Sequence, residues 1–131
     1  HELWEEVRNG MLPALAAKDC QRFGASVHRF GRAAGECFAA VQGGPYNGPV
    51  LGELVETIRA MGIACVGQSS WGPTLDCLLP DLQATQELAM SMQSEFASLN
   101  AVYTISSPSQ QGATAVRVEA PATGTARARN A

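Results

Sequence analysis

The apolar positions of this chain recur every three or four residues in its first half and then change period. Residues 2–17 carry Leu3, Val7, Met11 and Leu15 at helical spacing, interrupted by Gly10 and by Pro13. Proline removes a backbone donor, so a kinked or split helix is expected there. Asp19 reads as the N-cap of a long helix with the stripe Cys20, Phe23, Val27, Phe30, Ala34, Phe38 and Val41, ended by Gly43-Gly44-Pro45. Gly24, Gly31 and Gly35 inside it each cost up to about 1 kcal/mol against alanine. With Ala25, Ala33 and Ala34 they point to the close approach of another backbone. Asn47 as cap and Pro49 in the first turn open a third helix, whose buried side is Val50, Leu51, Leu54, Val55, Ile58 and Met61 and which Gly62 closes.

Ile63–Val66 and Thr74–Leu79 are short, apolar and partly β-branched, as suits two strands joined by a loop. Pro80-Asp81 begins a last helix with the stripe Leu82, Thr85, Ala89, Met92, Phe96 and Leu99. After Asn100, a third strand is expected at Val102, Tyr103 and Ile105. The polar turn 106–112 then leads to a fourth at Ala113–Glu119. The expected fold class is α+β, with helices packed on one face of a small antiparallel sheet of about four strands, close to the split β-α-β, ferredoxin-like arrangement. One domain is expected over residues 1–119, and residues 120–131 read as a disordered tail. The chain starts without methionine inside an amphipathic pattern, as expected for a piece of a longer protein.

Composition removes several function classes. The net charge is −3, from nine Lys+Arg against twelve Asp+Glu, and no basic cluster precedes Arg127 and Arg129, which argues against a nucleic-acid partner. No apolar run approaches the roughly 20 residues that span a bilayer, and no signal peptide is visible. Cys20, Cys37, Cys65 and Cys77 lack C-x-x-C spacing and lie in apolar stretches, so they read as buried thiols of a cytoplasmic protein, without zinc.

The candidate chemistry lies in the connection between the first two strands, "GQSSWGPT", where two residues would make an ordinary hairpin turn. Gly67 and Gly72 bracket Gln68, Ser69, Ser70 and Trp71. Glycines at both ends permit positive φ, so successive N–H groups can line one concavity, with the Ser69 and Ser70 hydroxyls as further donors to an anion. Pro73 fixes the exit and biases Gly72 toward extended geometry. The alternative is a Gly/Ser-rich connection anchored by one tryptophan. Lys18 is the only lysine, so no lysine near the loop assists. Asp76 is a candidate magnesium ligand or a solvated strand aspartate. His28 is a helix-surface or half-buried histidine rather than a general base. Arg22, Arg29 and Arg32 form an anion-facing row or a solvated face, and Tyr46 reaches a ligand or covers the core edge.

The string "GIACVGQSSWGPTLDCLL" resembles the third motif of the GHMP kinase superfamily, a Gly/Ser-rich loop between two strands of the C-terminal domain. Its Gln-Ser-Ser-Trp-Gly-Pro-Thr form resembles the version in beta-ribofuranosylaminobenzene 5′-phosphate synthases, the GHMP-related enzymes that begin methanopterin biosynthesis. The upstream "VQGGPYNGPVLGELVETIRAMG" agrees with that subfamily. The resemblance implies transfer of ribose 5-phosphate from phosphoribosyl pyrophosphate to a 4-amino- or 4-hydroxybenzoate, with loss of carbon dioxide and pyrophosphate and with Mg²⁺ as cofactor. It implies that Gly67, Ser69, Ser70 and Gly72 contact phosphate or shape the loop that does. Gln68 would donate to phosphate or to the acceptor carboxylate. Trp71 would stack in the acceptor or ribose pocket, or else pack as a structural peg. The superfamily's P-x-x-x-G-L-x-S-S-like segment is missing, so an absent N-terminal domain is implied, with an exposed apolar interface that favours dimerisation. Two alternatives remain: the matching domain of an ATP-dependent small-molecule kinase, and a non-catalytic ferredoxin-like ligand-binding or regulatory module.

Overall fold

The first amphipathic run folds as a helical rod of changing pitch, made of α1 (Glu2–Glu5), a π-helical stretch (Glu6–Met11) and α2 (Leu12–Ala16). The structure, a computed structural model, describes residues 2–70 and 72–116. The expected interruption takes the form of a wide turn. The Leu12 N–H reaches back five residues to Val7 O, and Pro13 follows it. In a regular α-helix the proline ring collides with the carbonyl four residues earlier, and a π turn widens the helix at that level.

Lys18, at φ 55°, turns the chain, and Asp19 caps α3 (Cys20–Glu36) as expected, its carboxylate accepting from the Arg22 amide at 2.9 Å. The rod crosses α3 where side chains are smallest. Ala14 and Ser26 are fully buried, and a Cβ on Gly10 would stand 2.5 Å from Ser26 Oγ. Arg29 ties the crossing, donating to Glu6 Oε1 at 2.7 Å and to Ser26 Oγ at 3.0 Å. The hydrogen bond from Arg29 holds the Glu6 carboxyl below its ordinary range.

α3 buries a different face from the one its apolar stripe indicates. Gly24, Ser26 and His28 are buried, Phe23, Val27 and Phe30 are half-buried, and Cys20, Phe38 and Val41 are exposed. The cause is that α3 has two neighbours: the rod, which meets Ser26, and a strand, which meets Gly24 and His28. Close approach across small residues left the bulky stripe only partly covered. α3 also stops at Glu36 rather than running to Val41, and a separate turn, α4 (Ala39–Gln42), follows. A Cβ on Gly35 would overlap Pro45 O, so the next loop presses directly on the helix end.

α5 (Pro49–Ala60) starts at the expected proline but without the expected Asn47 cap. Gly48, at φ 87°, is the N-cap residue and makes no side-chain cap bond. Leu51, Val55 and Ile58 are buried as expected, whereas Val50 and Met61 are exposed. After Gly62 the chain forms β1 (Cys65–Gln68) and β2 (Leu75–Leu78), an antiparallel pair in the register Cys65↔Leu78 through Gln68↔Leu75. Asp81 then caps α6 (Leu82–Glu95), accepting from the Ala84 amide at 2.8 Å. Met92 is the buried residue of α6, while Leu82 and Leu99 of the expected stripe are exposed.

The fold is therefore mixed helix with a small antiparallel sheet, which is the coarse expectation. Among the described residues the sheet has two strands, not four. Residues 102–105 carry no ladder; Tyr103 instead donates its hydroxyl to Met92 O at 3.2 Å and packs on the core. Residues 113–116 are exposed and unpaired, and the rest of the expected fourth strand, with the tail 120–131, lies outside the described residues. The core joins Tyr46, Leu51, Val55, Ile58, Val66 and Met92. Among the described residues no helix is long and apolar enough to cross a membrane.

Candidate functional site

The ladder determines which backbone groups of the loop remain available. Ser69 N–H donates to Thr74 O at 3.0 Å, so hydrogen-bonded pairs alternate from there to Gly67↔Asp76 and Cys65↔Leu78. The groups of Val66 and Gln68 on β1, and of Leu75 and Cys77 on β2, then face outward. Val66 O is taken by His28 Nδ1 at 3.2 Å, which requires the proton on that nitrogen. His28 is buried, and desolvation pushes its pKa below the ordinary value, so it is a structural link between α3 and β1.

The expected cup of amides is only partly present. Gly67 lies in the ladder, Ser69 N–H is bonded to Thr74 O, and Gly72 N–H is bonded to Ser69 O at 2.8 Å. Gly72 is left-handed at φ 61° rather than extended, ahead of a cis peptide to Pro73. The physical reason is that a tight loop satisfies its own amides before it can offer them to a ligand. The Ser70 N–H and the Ser69 and Ser70 hydroxyls have no partner among the described residues, and both serines are exposed. Ser70 stands at φ 48°. Trp71 lies outside the described residues.

Gln68 is a brace rather than a free donor. Its Oε1 accepts from the Asn47 amide at 2.6 Å, and its Nε2 donates to Ser70 O at 3.0 Å. One side chain thus fastens the strand-connecting loop to the Gly/Pro loop before α5. Sequence reading missed this link. Asn47 and Gln68 are distant in sequence, and only the packing of α5 on β1 brings them together.

Beside the loop a groove of about 630 Å³ runs between β2, α5, α6 and residues 99–105, beginning at Pro73 and Thr74. Its walls include Leu54, Ile58, Leu88 and Met92, and among the described residues no charged side chain lines it. Cys77 borders the groove, and burial pushes its thiol up to about 11. Cys65 is buried, whereas Cys20 and Cys37 are exposed, contrary to the expectation that all four thiols are covered; all are free. Cys20 and Cys37 stand at the two ends of α3, Cys20 as its first residue and Cys37 just past its last.

All three arginines of the expected row are exposed; Arg29 pairs with Glu6 and Arg32 lies 3.9 Å from Glu36. Asp76 is exposed opposite Gly67. Among the described residues no group of three or more His, Cys, Asp or Glu is placed to hold a metal ion. Comparison with protein-family models, with curated proteins and with solved structures finds no match to this chain.

Proposed function

We propose that this chain is the C-terminal domain of a cytoplasmic beta-ribofuranosylaminobenzene 5′-phosphate synthase-like enzyme. In this reading the loop 67–72 holds phosphate of phosphoribosyl pyrophosphate. The carrying observation is that the exposed Ser69 and Ser70 keep two hydroxyls and one amide without a partner among the described residues, in a loop that Gln68 ties to the Asn47 amide. Preorganised donors of this kind stabilise the charge that grows on a pyrophosphate leaving group. The geometry supports contact through hydroxyls more than through a ring of amides.

The groove fits the second substrate of this reading. It opens at Thr74, just past the loop, and its uncharged walls suit the ring of a benzoate acceptor. A magnesium ion bound to pyrophosphate needs only one or two protein carboxylates, and Asp76 is the acidic side chain of the hairpin. When bound, such an ion shares the negative charge of the leaving group. The exposed Trp4, Leu12 and Leu15 and the half-covered Phe23, Val27 and Phe30 suit an apolar interface with an N-terminal domain or a second copy. A four-stranded, ferredoxin-like sheet belongs to this reading as its finer part, and it would require residues 102–105 to exchange the Tyr103 anchor on α6 for pairing beside the hairpin.

The test is to incubate the full-length protein with phosphoribosyl pyrophosphate, magnesium and 4-aminobenzoate. Release of carbon dioxide supports the reading. Consumption of ATP with phosphorylation of an alcohol replaces it by the kinase alternative. A second reading, a non-catalytic module that binds an apolar small molecule, is favoured by the uncharged groove. It predicts groove binding with neither reaction.

A further inference from the structure

Gln68, the last residue of β1, uses its side chain inside the protein, and what it holds is one peptide of the loop. Its Oε1 accepts from the Asn47 amide at 2.6 Å, and its Nε2 donates to Ser70 O at 3.0 Å. The two partners fix the orientation of the carboxamide, because an amide N–H only donates and a carbonyl only accepts. Glutamine suits the place for that reason. Glutamate, or an apolar side chain of the same length, lacks the donor for Ser70 O.

The Asn47 end of this link is tied to the core. Tyr46, the residue before it, belongs to the core cluster with Val55, Ile58 and Val66. Gly48, the residue after it, donates its N–H to Tyr46 O at 2.8 Å and to Gln42 O at 2.9 Å. At the loop end the two serines differ. Ser69 is held by its own backbone, its N–H on Thr74 O at 3.0 Å and its carbonyl accepting from Gly72 N–H at 2.8 Å. Ser70 stands at φ 48°, a left-handed conformation that residues with a side chain rarely adopt. Among the described residues the Gln68 carboxamide is the one hydrogen-bond partner of the Ser70 backbone. Gly72 leaves room for that carboxamide, since a Cβ there would stand 3.0 Å from Gln68 Cδ.

We propose, on the reading in which this loop holds phosphate of phosphoribosyl pyrophosphate, that Gln68 is the positioning residue for Ser70. Its carboxamide carries the fixed frame of Asn47 to the Ser70 peptide and keeps that peptide left-handed. The place of the Ser70 hydroxyl is set in this way, and Gln68 itself touches neither phosphate nor the acceptor carboxylate. A direct contact would use the second hydrogen of Nε2. The two roles differ in additivity: an effect exerted through Ser70 disappears once the Ser70 hydroxyl is removed, whereas the effect of a direct contact survives.

The test is calorimetric titration with phosphoribosyl pyrophosphate in magnesium. It compares the natural sequence with Gln68→Met, which keeps the length of the side chain and removes both hydrogen bonds, with Ser69→Ala and Ser70→Ala, and with Gln68→Met combined with each serine variant. Gln68→Met and Ser70→Ala are each expected to weaken binding about fivefold or more. Added to Ser70→Ala, Gln68→Met is expected to cost no more than about a further twofold; added to Ser69→Ala, it keeps its whole effect. Couplings that report the sign of φ at Ser70, measured on the isotope-labelled chain without ligand, are expected to show the left-handed conformation lost in Gln68→Met. Four results overturn the proposal alone: undiminished binding by Gln68→Met, its whole effect persisting beside Ser70→Ala, its effect vanishing beside Ser69→Ala as well, or a Ser70 φ that stays positive in Gln68→Met. No binding by the natural sequence overturns the phosphate reading and the proposal together.

Discussion

Replacing Gly24 by alanine places a methyl group 2.7 Å from the amide nitrogen and the Cβ of Cys65 in β1. Comfortable carbon contacts lie at about 3.5–4.0 Å, so α3 and β1 must separate by roughly 1 Å. Overpacking of this kind costs about 1–3 kcal/mol. The gain in helix propensity returns about 0.8–1 kcal/mol, leaving a net loss of about 1–2 kcal/mol when the clash lies in the upper part of its range. Gly31 lies on the same helix with no atom within 4 Å of its missing Cβ. Gly31→Ala therefore keeps the whole propensity gain and should stabilise by up to about 1 kcal/mol. Gly35→Ala should destabilise at least as much as Gly24→Ala, because the new methyl overlaps Pro45 O, a backbone atom. Urea unfolding at constant slope reads all three. If Gly24→Ala and Gly31→Ala move the midpoint in the same direction, the packing of α3 against β1 described above is wrong.

His28 gives a pH dependence whose sign follows from its desolvation. Its folded pKa lies below the ordinary value, so below about pH 6.5 the unfolded chain binds more protons, and stability falls as pH drops toward the folded pKa; His28→Gln should remove that slope in unfolding curves, and an unchanged slope would place the titration elsewhere. Native protein should show two fast thiols, Cys20 and Cys37, and two that react only on unfolding, since Cys65 is buried and the Cys77 thiol is pushed up to about 11. A single fast phase for all four would contradict this burial. Gln68→Ala leaves the Asn47 amide and Ser70 O without their partner and should cost about 1 kcal/mol. It should also raise hydrogen exchange in both loops, and exchange confined to one loop would refute the brace.

Local signals were legible wherever the answer was local. Asp19 and Asp81 cap the helices they precede, Pro49 opens α5, and the change of period after Gly62 marks the strand pair. What failed depended on neighbours. The stripe on α3 names its most apolar face, but the helix is gripped by the rod and by β1 through Gly24, Ser26 and His28, small or polar residues that no hydrophobic pattern selects. Asn47 had the chemistry of a cap, yet the residue at that position is Gly48, while the Asn47 amide is held by Gln68 from β1. Val102–Ile105 has strand composition, but a strand needs a paired neighbour, and Tyr103 is anchored to α6 instead. The loop's glycines and serines announced a concavity. Which amides the ladder takes up depends on register, and Ser69 N–H and Gly72 N–H went inward.

The hydroxyls of the exposed Ser69 and Ser70 are the centre of the functional account, and both can be removed without disturbing the core. Calorimetric titration of the chain with phosphoribosyl pyrophosphate in magnesium, for the natural sequence and for the Ser69→Ala, Ser70→Ala double variant, addresses them directly. The account predicts saturable binding that the double variant weakens about tenfold or more at unchanged unfolding stability. Equal affinity of the two proteins, or no binding by the natural sequence, would contradict it.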